Sequence, residues 1–286
     1  MKERIGIQGS KGAFHEIAAI QLFGKKQQIV YIDTFEKLFS DLNNGLIDKA
    51  VVAIANIQVG FIDEPHKELI TNSLKYWISG ETYVAVAHQL LAIPGTKLSQ
   101  IKHIHSMAPA IQQCSHTLRH LLPNAELIEE ADTALSAELV SKLKSPSHAA
   151  VASRRAGEIN GLQVISANVQ DRKKNITRFL VLEARSDQIE NRSSETDKTT
   201  MLLETPNKKG ALFKALLIFW MNRINITTLH SSFVEDSDFN EKFYIEYDAG
   251  IWRKKSKLLI KFLTLLGNKV TISGSYTSEN INLHTK

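Results

Sequence analysis

The chain contains 286 residues, of which 43% are hydrophobic and 23% charged, a composition typical of a folded globular protein with more than one core. The formal net charge is +5, but basic and acidic residues are interleaved, so small anionic ligands account for the excess and we expect no nucleic-acid partner. No apolar run approaches about 18 residues, no signal peptide follows Met1 and Cys114 is the only cysteine, so we expect a cytoplasmic protein without a membrane partner or intramolecular disulfide.

Strands and helices alternate in the first part of the chain, which predicts a largely parallel α/β sheet. The predicted strands cover residues 4–8, 28–32 and 49–54, and the predicted helices cover residues 13–23, 34–43 and about 65–73. The turn over residues 9–12 should aim backbone N–H groups and a helix N-terminus at one point, which favours a carboxylate or phosphate. It lacks the glycine pattern of a dinucleotide site and the ending of a Walker loop, so we reject nucleotide binding.

A second α/β unit begins at Gly80. Its predicted strands cover residues 83–91, 103–106, 126–129 and 149–152, and its predicted helices cover 109–122 and 133–142. Val164 and Ile165 then lead to a strand after Asn175 that we expect to return to the first sheet. The first lobe would comprise residues 1–80 and 164–184 and the second lobe residues 81–163, with a ligand cleft between them.

Residues 185–197 are polar and lack a hydrophobic period, which predicts a linker. Beyond the linker we predict strands over 199–205, 226–234, 242–247 and 270–273, and helices over 211–221 and 252–266. This βαββαβ order indicates a ferredoxin-like unit over residues 198–275, followed by a polar tail over 276–286.

The stretch Asn175-Ile176-Thr177-Arg178-Phe179 opens an apolar strand and carries an amide, a hydroxyl and a guanidinium. Arginine is a planar fork of donors suited to a carboxylate, and the hydroxyl of a threonine can steady a departing oxygen. The same residues are also ordinary at the start of a strand, so this stretch alone indicates an anion site without proving it.

Four histidines, His103, His105, His116 and His120, raise the question of a metal site, since the last two are four residues apart on a predicted helix. No intervening glutamate completes a His-Glu-x-x-His pattern. We therefore expect surface or capping histidines and no metal.

Together, these motifs resemble those of the prephenate dehydratase family followed by an ACT domain, over nearly the whole chain. The matching positions are Gly9, Gly12 and Phe14; Asn56 and Gly60; Gly80 and Glu81; Ser106, Gln113 and Cys114; Asp132, Thr133 and Ala134; Asn175, Thr177, Arg178 and Phe179; and the turn before Gly210, Ala211 and Leu212. The resemblance implies a two-lobed catalytic domain of the periplasmic-binding-protein type II form and an ACT domain. It implies conversion of prephenate to phenylpyruvate without a metal or organic cofactor, in a homodimer or homotetramer.

The resemblance also implies roles for individual residues. Thr177 would donate a hydrogen bond to the departing hydroxyl, Arg178 would hold the pyruvyl carboxylate, and Asn56 would lie opposite. The remaining substrate-binding candidates are Gly12, Ser106, Gln113, Thr133, Ser153, Asn175 and Phe179. Arogenate stays open as a substrate, because it differs from prephenate only by an amino group in place of the keto oxygen.

The chain departs from the family pattern in both parts. Ala13, Ala55 and Ile57 replace polar residues of the catalytic domain, which motivates a second reading as a weakened homologue that binds or senses an aromatic or keto acid. His230 to Phe233 replace a Glu-Ser-Arg-Pro signature that helps hold phenylalanine, although Gly210, Ala211, Leu212 and Asn225 remain as regulatory candidates. We therefore expect phenylalanine not to change activity. A periplasmic solute-binding protein is a third reading, disfavoured by the missing signal peptide and by the stretch at Thr177.

Overall fold

The structure is a computed structural model that describes residues 2–186, 195–233 and 241–279. Its strands are β1 (Arg4–Gln8), β2 (Gln28–Ile32), β3 (Lys49–Asn56), β4 (Gly60–Phe61), β5 (Tyr76–Ala85), β6 (His88–Ala92), β7 (His103–Ser106), β8 (Glu126–Glu129), β9 (His148–Ser153), β10 (Gln163–Ser166), β11 (Ile176–Ala184), β12 (Lys198–Glu204), β13 (Ile226–Phe233), β14 (Glu241–Tyr247) and β15 (Lys269–Tyr276). Its α-helices are α1 (Phe14–Phe23), α2 (Phe35–Asn43), α3 (Asp63–Thr71), α4 (Ala108–Leu121), α5 (Thr133–Leu143), α6 (Arg154–Ile159), α7 (Ala211–Met221) and α8 (Lys254–Leu265).

The strands of the N-terminal part belong to two lobes. The first lobe orders them β5-β11-β3-β1-β2, with β4 beside β3, and the second lobe forms a separate sheet in the order β10-β6-β9-β7-β8. The chain leaves the first lobe after β5 and returns to it as β11, so two crossovers join the lobes. Two boundaries differ from the sequence prediction: the strand expected over 83–91 is split between β5 and β6, and Val164 and Ile165 belong to the second lobe.

Strand β11 is the centre of the first lobe, because it pairs antiparallel with β3 on one side and with β5 on the other. Its side chains alternate between two apolar layers, as the two faces of a strand require. Phe179 packs with residues of β1 and α1, whereas Leu180 and Leu182 pack with residues of α2 and α3 on the opposite face. Helices therefore cover both faces, which explains why this strand is almost continuously buried.

The helices of the lobes begin where the sequence provides caps. Thr34 caps α2 by accepting a hydrogen bond from the backbone N of Lys37 at 3.2 Å. Asp132 caps α5 by accepting from the backbone N of Ala134 and Leu135, at 2.5 and 3.1 Å. The predicted starts of these two helices are thus close to those observed.

The C-terminal domain has the predicted βαββαβ order, and its strands lie in the order β13-β14-β12-β15, which is the ferredoxin-like arrangement. β15 continues the sheet of the first lobe, because it pairs parallel with β5 at Gly274 and Ile78. A Cβ on Gly274 would lie 2.3 Å from the carbonyl oxygen of Ile78, so only glycine permits this approach. The first position of the predicted tail, Tyr276, ends β15 and is deeply buried; residues 187–194 of the predicted linker and 280–286 of the tail lie outside the described residues.

Candidate active site

Three residues predicted from the sequence meet at the end of β3. Thr177 of β11 lies directly opposite Asn56 in the antiparallel pairing. Asn56 Nδ2 donates to Thr177 Oγ1 at 2.9 Å and to Asn175 Oδ1 at 2.7 Å, and Asn56 Oδ1 accepts from the backbone N of Gln58 at 2.8 Å. Both ends of the Asn56 amide are therefore engaged, and its orientation is determined.

Two residues of the second lobe extend this set. Asn175 Nδ2 donates to Gln113 Oε1 at 2.7 Å, and His88 Nε2 lies 3.2 Å from the same oxygen. The oxygen can only accept, so His88 carries a proton on Nε2. Burial lowers the pKa of His88 below its ordinary value, and the ring is therefore neutral near pH 7. The resulting polar chain runs from the second lobe through Asn175 and Asn56 to Thr177.

The direction of these hydrogen bonds decides what Thr177 can do. Its Oγ1 accepts the Asn56 amide proton, and its own hydroxyl proton has no protein acceptor within the described part of the chain. Thr177 is largely buried, at 8% exposure, so few water molecules compete for that proton. The arrangement leaves the hydroxyl proton of Thr177 available as a hydrogen-bond donor.

The glycine turn before α1 fastens the first lobe to the second. The backbone O of Gly12 accepts from Ser153 Oγ at 2.6 Å, and its backbone N donates to Glu16 Oε2 at 2.7 Å. Glu16 also accepts from Arg155 Nε at 2.7 Å and Nη2 at 3.0 Å, and from Tyr31 OH at 2.8 Å. Burial raises the pKa of Glu16, but the bonds from Arg155, Gly12 and Tyr31 outweigh it, and the pKa lies below the ordinary value.

Two of the predicted ligands therefore have structural tasks. Gly12 has a φ of +97°, and a Cβ there would lie 2.8 Å from the Cα of Ala156, so this glycine allows the close approach of the lobes. Its N–H is engaged by Glu16 and is not a spare donor for a substrate. The Ser153 hydroxyl is used by Gly12 and by the backbone N of Ala156, which it caps at 3.0 Å.

Three further candidates are buried away from the polar chain. Ser106 Oγ donates to the carbonyl of Val151 at 2.7 Å inside the second lobe. Phe179 lies in the apolar layer against α1, with its ring centroid 5.1 Å from that of His15. Thr133 is the first residue of α5 and is buried beside the cap Asp132. All three side chains are buried, and the recorded contacts of Ser106 and Phe179 are with protein groups.

Arg178 does not have the position predicted for a carboxylate ligand. Its Nε donates to Glu81 Oε2 at 2.8 Å, its Nη1 to Glu246 Oε2 at 2.8 Å and its Nη2 to Tyr276 OH at 3.1 Å. Neighbouring residues of a strand point to opposite faces, so the side chain leaves β11 on the face opposite Thr177. Nε, Nη1 and Nη2 of Arg178 thus each bind a protein group at the junction with the C-terminal domain.

Positive charge near the polar chain comes instead from the crossover that enters β11. Arg172, Lys173 and Lys174 precede Asn175 directly, and all three are exposed. The carbonyl of Lys174 accepts from Gln58 Nε2 at 3.0 Å, which ties this crossover to the loop after β3. A basic segment here raises the local concentration of an anionic substrate.

The regulatory candidates lie at the start of α7 and before β13. Gly210 has a φ of +78° and precedes Ala211 and Leu212, the first residues of the helix. Asn225 Nδ2 donates to Asp248 Oδ2 at 2.9 Å. These contacts explain the local turns without showing a ligand site.

The histidines group differently from the sequence expectation. His105 Nε2 is 2.9 Å from His148 Nδ1, and the His103 ring stacks on His148 with 4.7 Å between centroids. His105 and His103 also contact Glu130 and Glu126, at 3.0 and 3.1 Å. Within residues 2–186, 195–233 and 241–279, no three histidine, cysteine or acidic side chains are arranged to hold a metal ion.

Sequence reasoning missed Glu16, Arg155, Tyr31 and His88. A glutamate two residues inside a predicted helix reads as a favourable charge near the helix N-terminus, and nothing local indicates a partner 139 residues away. His88 falls within the strand predicted over residues 83–91, whereas in the structure it is the first residue of β6, after the break that follows β5. Because the sequence prediction placed no break at this point, it did not single out His88.

A comparison with known proteins identifies the family. The family model for prephenate dehydratase matches residues 5–187. Arogenate dehydratase/prephenate dehydratase 1 of Arabidopsis thaliana, a chloroplastic protein, is 32% identical over 289 residues, which cover 96% of this chain and 72% of that protein.

Two solved structures are similar over nearly the whole chain. GqqA, described as a novel type of quorum quenching acylase, has a TM-score of 0.85 and 27% identity, and the match covers 98% of this chain and 99% of that one. The prephenate dehydratase from Arthrobacter aurescens in complex with L-Phe has a TM-score of 0.84 and 24% identity, with 96% and 90% covered. The predicted two-lobed architecture is thereby confirmed.

In the described residues, no helix is both long and apolar enough to cross a bilayer. The family match covers both lobes and the strand that carries Thr177. The part of the resemblance that concerns residues 5–187 is confirmed, and the chain belongs to the prephenate dehydratase family.

Proposed function

We propose that the protein is a prephenate dehydratase, which converts prephenate to phenylpyruvate, carbon dioxide and water on the route to phenylalanine, in the cytoplasm. Family membership supports this proposal, and so does one geometric observation. The polar chain through Asn175 and Asn56 ends on a Thr177 hydroxyl whose proton remains available to a bound group. A donor at this place suits a reaction in which a hydroxyl must leave.

The reaction breaks two bonds to the ring. One is the bond to the carboxylate, which leaves as carbon dioxide, and the other is the bond to the hydroxyl, which leaves as hydroxide. The electron pair of the carbon–carboxylate bond enters the ring, the ring becomes aromatic, and the hydroxyl departs with the electrons of its own bond. Thr177 donates a hydrogen bond to that leaving oxygen, and a proton from water completes the product water. A threonine hydroxyl is a weak acid at neutral pH, so its contribution is charge stabilisation and proton relay.

The protein contacts of Arg178 bear on how the substrate is held. With that guanidinium bound by Glu81, Glu246 and Tyr276, the groups near Thr177 that could hold the substrate are the Gln113 Nε2 amide and the exposed basic crossover at residues 172–174. A tight cationic clamp on the ring carboxylate would stabilise the ground state and oppose its loss as carbon dioxide. The arrangement therefore favours orientation by neutral donors, with charge at the rim attracting the dianion. Arogenate carries the same ring carboxylate and hydroxyl and remains a candidate substrate.

The three departures in the catalytic domain are accommodated by packing or exposure. Ala13 packs in an apolar cluster with residues of α5 and β9, and Ala55 packs against the layer beneath β3. Ile57 is half exposed, at 50%. The fold therefore tolerates these replacements, and the assay described below separates the enzyme from a weakened sensor.

The likeness to GqqA makes amide hydrolysis the other activity to weigh. An acylase that uses a hydroxyl nucleophile needs a base in hydrogen-bond reach of that hydroxyl. Thr177 Oγ1 contacts the Asn56 amide, which donates a proton to it and cannot remove one. This geometry supports dehydration over acyl transfer.

The test follows phenylpyruvate formation from prephenate, with arogenate as a second substrate, in the purified parent protein and in Thr177→Ala. We expect turnover by the parent and its near loss in the variant, while calorimetry shows that the variant still binds prephenate. Binding without product in both proteins would instead support the sensor. Hydrolysis of an acyl amide by the parent, without phenylpyruvate, would contradict the proposal in favour of an acylase.

We further propose that the C-terminal domain is an ACT domain that pairs two chains. Its helix α7 exposes Phe213 and Trp220, at 68% and 75%, together with Met221, and its strand β13 is an edge of the sheet. An apolar helix face beside an open strand edge suits a second copy of the same domain. Light scattering should give at least a dimer for the parent and a smaller species for Trp220→Asp. Since the Glu-Ser-Arg-Pro signature is absent, we expect phenylalanine to leave the activity unchanged.

A further inference from the structure

A buried cluster of charges joins the two parts of the chain directly behind Thr177. Arg178 and Glu81 belong to the first lobe, and Lys198 and Glu246 belong to the C-terminal domain. Arg178 Nη1 binds Glu246 Oε2 at 2.8 Å, and Lys198 Nζ binds Glu81 Oε1 at 3.1 Å and Oε2 at 3.0 Å. Each cation therefore binds a carboxylate across the junction, and Arg178 also binds Glu81 of its own lobe through Nε at 2.8 Å.

The cluster is balanced in charge and closed to solvent. Two cations face two carboxylates, and each of the four residues is at most 9% exposed, with Glu246 at 0%. Tyr244 OH donates to Glu246 Oε1 at 2.7 Å, and Tyr276 OH accepts from Arg178 Nη2 at 3.1 Å. Removing one charge would leave an uncompensated ion in the interior, which makes the set resistant to rearrangement.

The pairing of β11 with β3 is irregular beside Arg178. It matches Arg178 with Ala55 and then Phe179 with Ala53, so Ile54 is the extra residue and the bulge lies on β3. On its other side, β11 pairs with β5 in unbroken register from Ile176 to Val181. The contacts of the Arg178 side chain hold this part of β11 in addition to that ladder.

We propose that Glu246 of the C-terminal domain is a positioning residue for Thr177, acting through Arg178. Arg178 and Thr177 are adjacent, and their side chains leave the strand on opposite faces. A rotation of the strand that moves the Arg178 guanidinium therefore also moves the Thr177 hydroxyl. That hydroxyl must stay 2.9 Å from Asn56 Nδ2 to remain correctly directed. The C-terminal domain thus contributes to the geometry of the catalytic lobe without touching the substrate.

This inference rests on the proposed dehydratase activity, and its kinetic signature is a loss of kcat with a smaller change in KM. We expect Glu246→Gln to lower kcat about 10- to 100-fold, the range that a displacement near 1 Å of a catalytic group produces. The matched control is Tyr244→Phe, which removes a hydroxyl bound to the same carboxylate and leaves the three hydrogen bonds of Arg178 in place. The control should keep kcat within about two-fold of the parent.

The experiment measures phenylpyruvate formation by the full-length proteins, with the folded fraction of each verified by near-ultraviolet circular dichroism. Hydrogen exchange over residues 176–180 is recorded in parallel and should be faster in Glu246→Gln but not in Tyr244→Phe. If Glu246→Gln does not fold, Tyr276→Phe is compared with Tyr244→Phe instead. We expect Tyr276→Phe to lower kcat only about three-fold, because it removes the neutral partner of Arg178 and leaves both carboxylates in place.

An active parent with an unchanged kcat in folded Glu246→Gln would overturn the inference and leave the dehydratase proposal intact. An inactive parent would overturn the dehydratase proposal, and hydrogen exchange would then decide the positioning role by itself. Equal exchange over residues 176–180 in the parent and in Glu246→Gln would overturn that role.

Discussion

Asn56 and Thr177 are 121 residues apart in the chain, yet Asn56 Nδ2 lies 2.9 Å from Thr177 Oγ1. The antiparallel pairing of β3 and β11 places the two residues opposite each other. Because the amide donates and the hydroxyl accepts, this contact determines where the Thr177 proton can go.

Replacing the amide by a carboxylate should reverse this contact. In Asn56→Asp both donors are lost, and the Thr177 hydroxyl would turn to donate to the new carboxylate instead of to the substrate. We expect kcat to fall about 100-fold, a loss of about 2.7 kcal/mol of transition-state stabilisation, with a smaller change in KM. The control is Gln58→Ala in the same loop, whose side chain contacts only the carbonyl of Lys174 among the described residues. Steady-state kinetics showing equal kcat in the two variants would contradict the assigned direction of the bond.

The junction between β5 and β15 should depend on the absence of a side chain at Gly274. A Cβ there would lie 2.3 Å from the backbone O of Ile78, so Gly274→Ala must separate the strands. We expect a loss of about 1–3 kcal/mol in the free energy of unfolding. Gly80→Ala, also on β5, is the control, because its Cβ would meet Val181 at an ordinary 3.5 Å. Denaturant unfolding measures both, and equal stabilities would show that the close approach is not required.

Stability should fall as the pH drops from about 6.5 to about 4, partly because of His66. Burial, helped by the neighbouring His230, lowers the pKa of His66 from 6.5 to about 4. The unfolded chain therefore takes up this proton first, and the stabilisation that is complete above pH 6.5 is lost as the pH falls toward 4. His66→Phe should flatten the profile over this window by up to about 1.4 kcal/mol per pH unit. Thermal melts across this range test it, and His120→Phe, an exposed position on α4, should keep the slope of the parent.

Glu16 should also stabilise the folded protein less as the pH falls, but over a more acidic pH range than His66. Its pKa lies below the ordinary value of 4.5, so its contribution is complete above that value and is lost as the pH falls further. Arg155→Gln removes the ion pair and leaves only the Gly12 and Tyr31 hydrogen bonds to oppose burial, so the pKa of Glu16 should rise and acid unfolding should begin at a higher pH. We expect a cost of about 1–3 kcal/mol near pH 7. Arg154→Gln, the exposed neighbour, is the control, and equal acid midpoints in the two variants would contradict the role of the pair.

The order of elements and the residues at the end of β3 and the start of β11 were predictable, because hydrophobic period and motif spacing are local properties. For Arg178, one feature was visible in the sequence: neighbours on a strand face opposite ways, so its side chain was expected on the face opposite Thr177. Its partners were not visible, since Glu81 and Glu246 lie 97 and 68 residues away. Ser106 and Ser153 show another limit of sequence reasoning. Each donates to a buried carbonyl, and a serine with that role looks the same in a sequence as a serine that binds a substrate.

The pairing of β15 with β5 has a consequence for any attempt to separate the two parts of this protein. Cutting the chain after β11 would expose the edge of β5 that now pairs with β15. The unpaired backbone groups of that edge could then form hydrogen bonds with strands of other molecules. The same cut would remove Glu246 and Lys198, the charges that accompany Arg178 and Glu81 in the interior. The family's catalytic unit in this chain is therefore expected to aggregate when produced alone, and heat should unfold both parts in one transition.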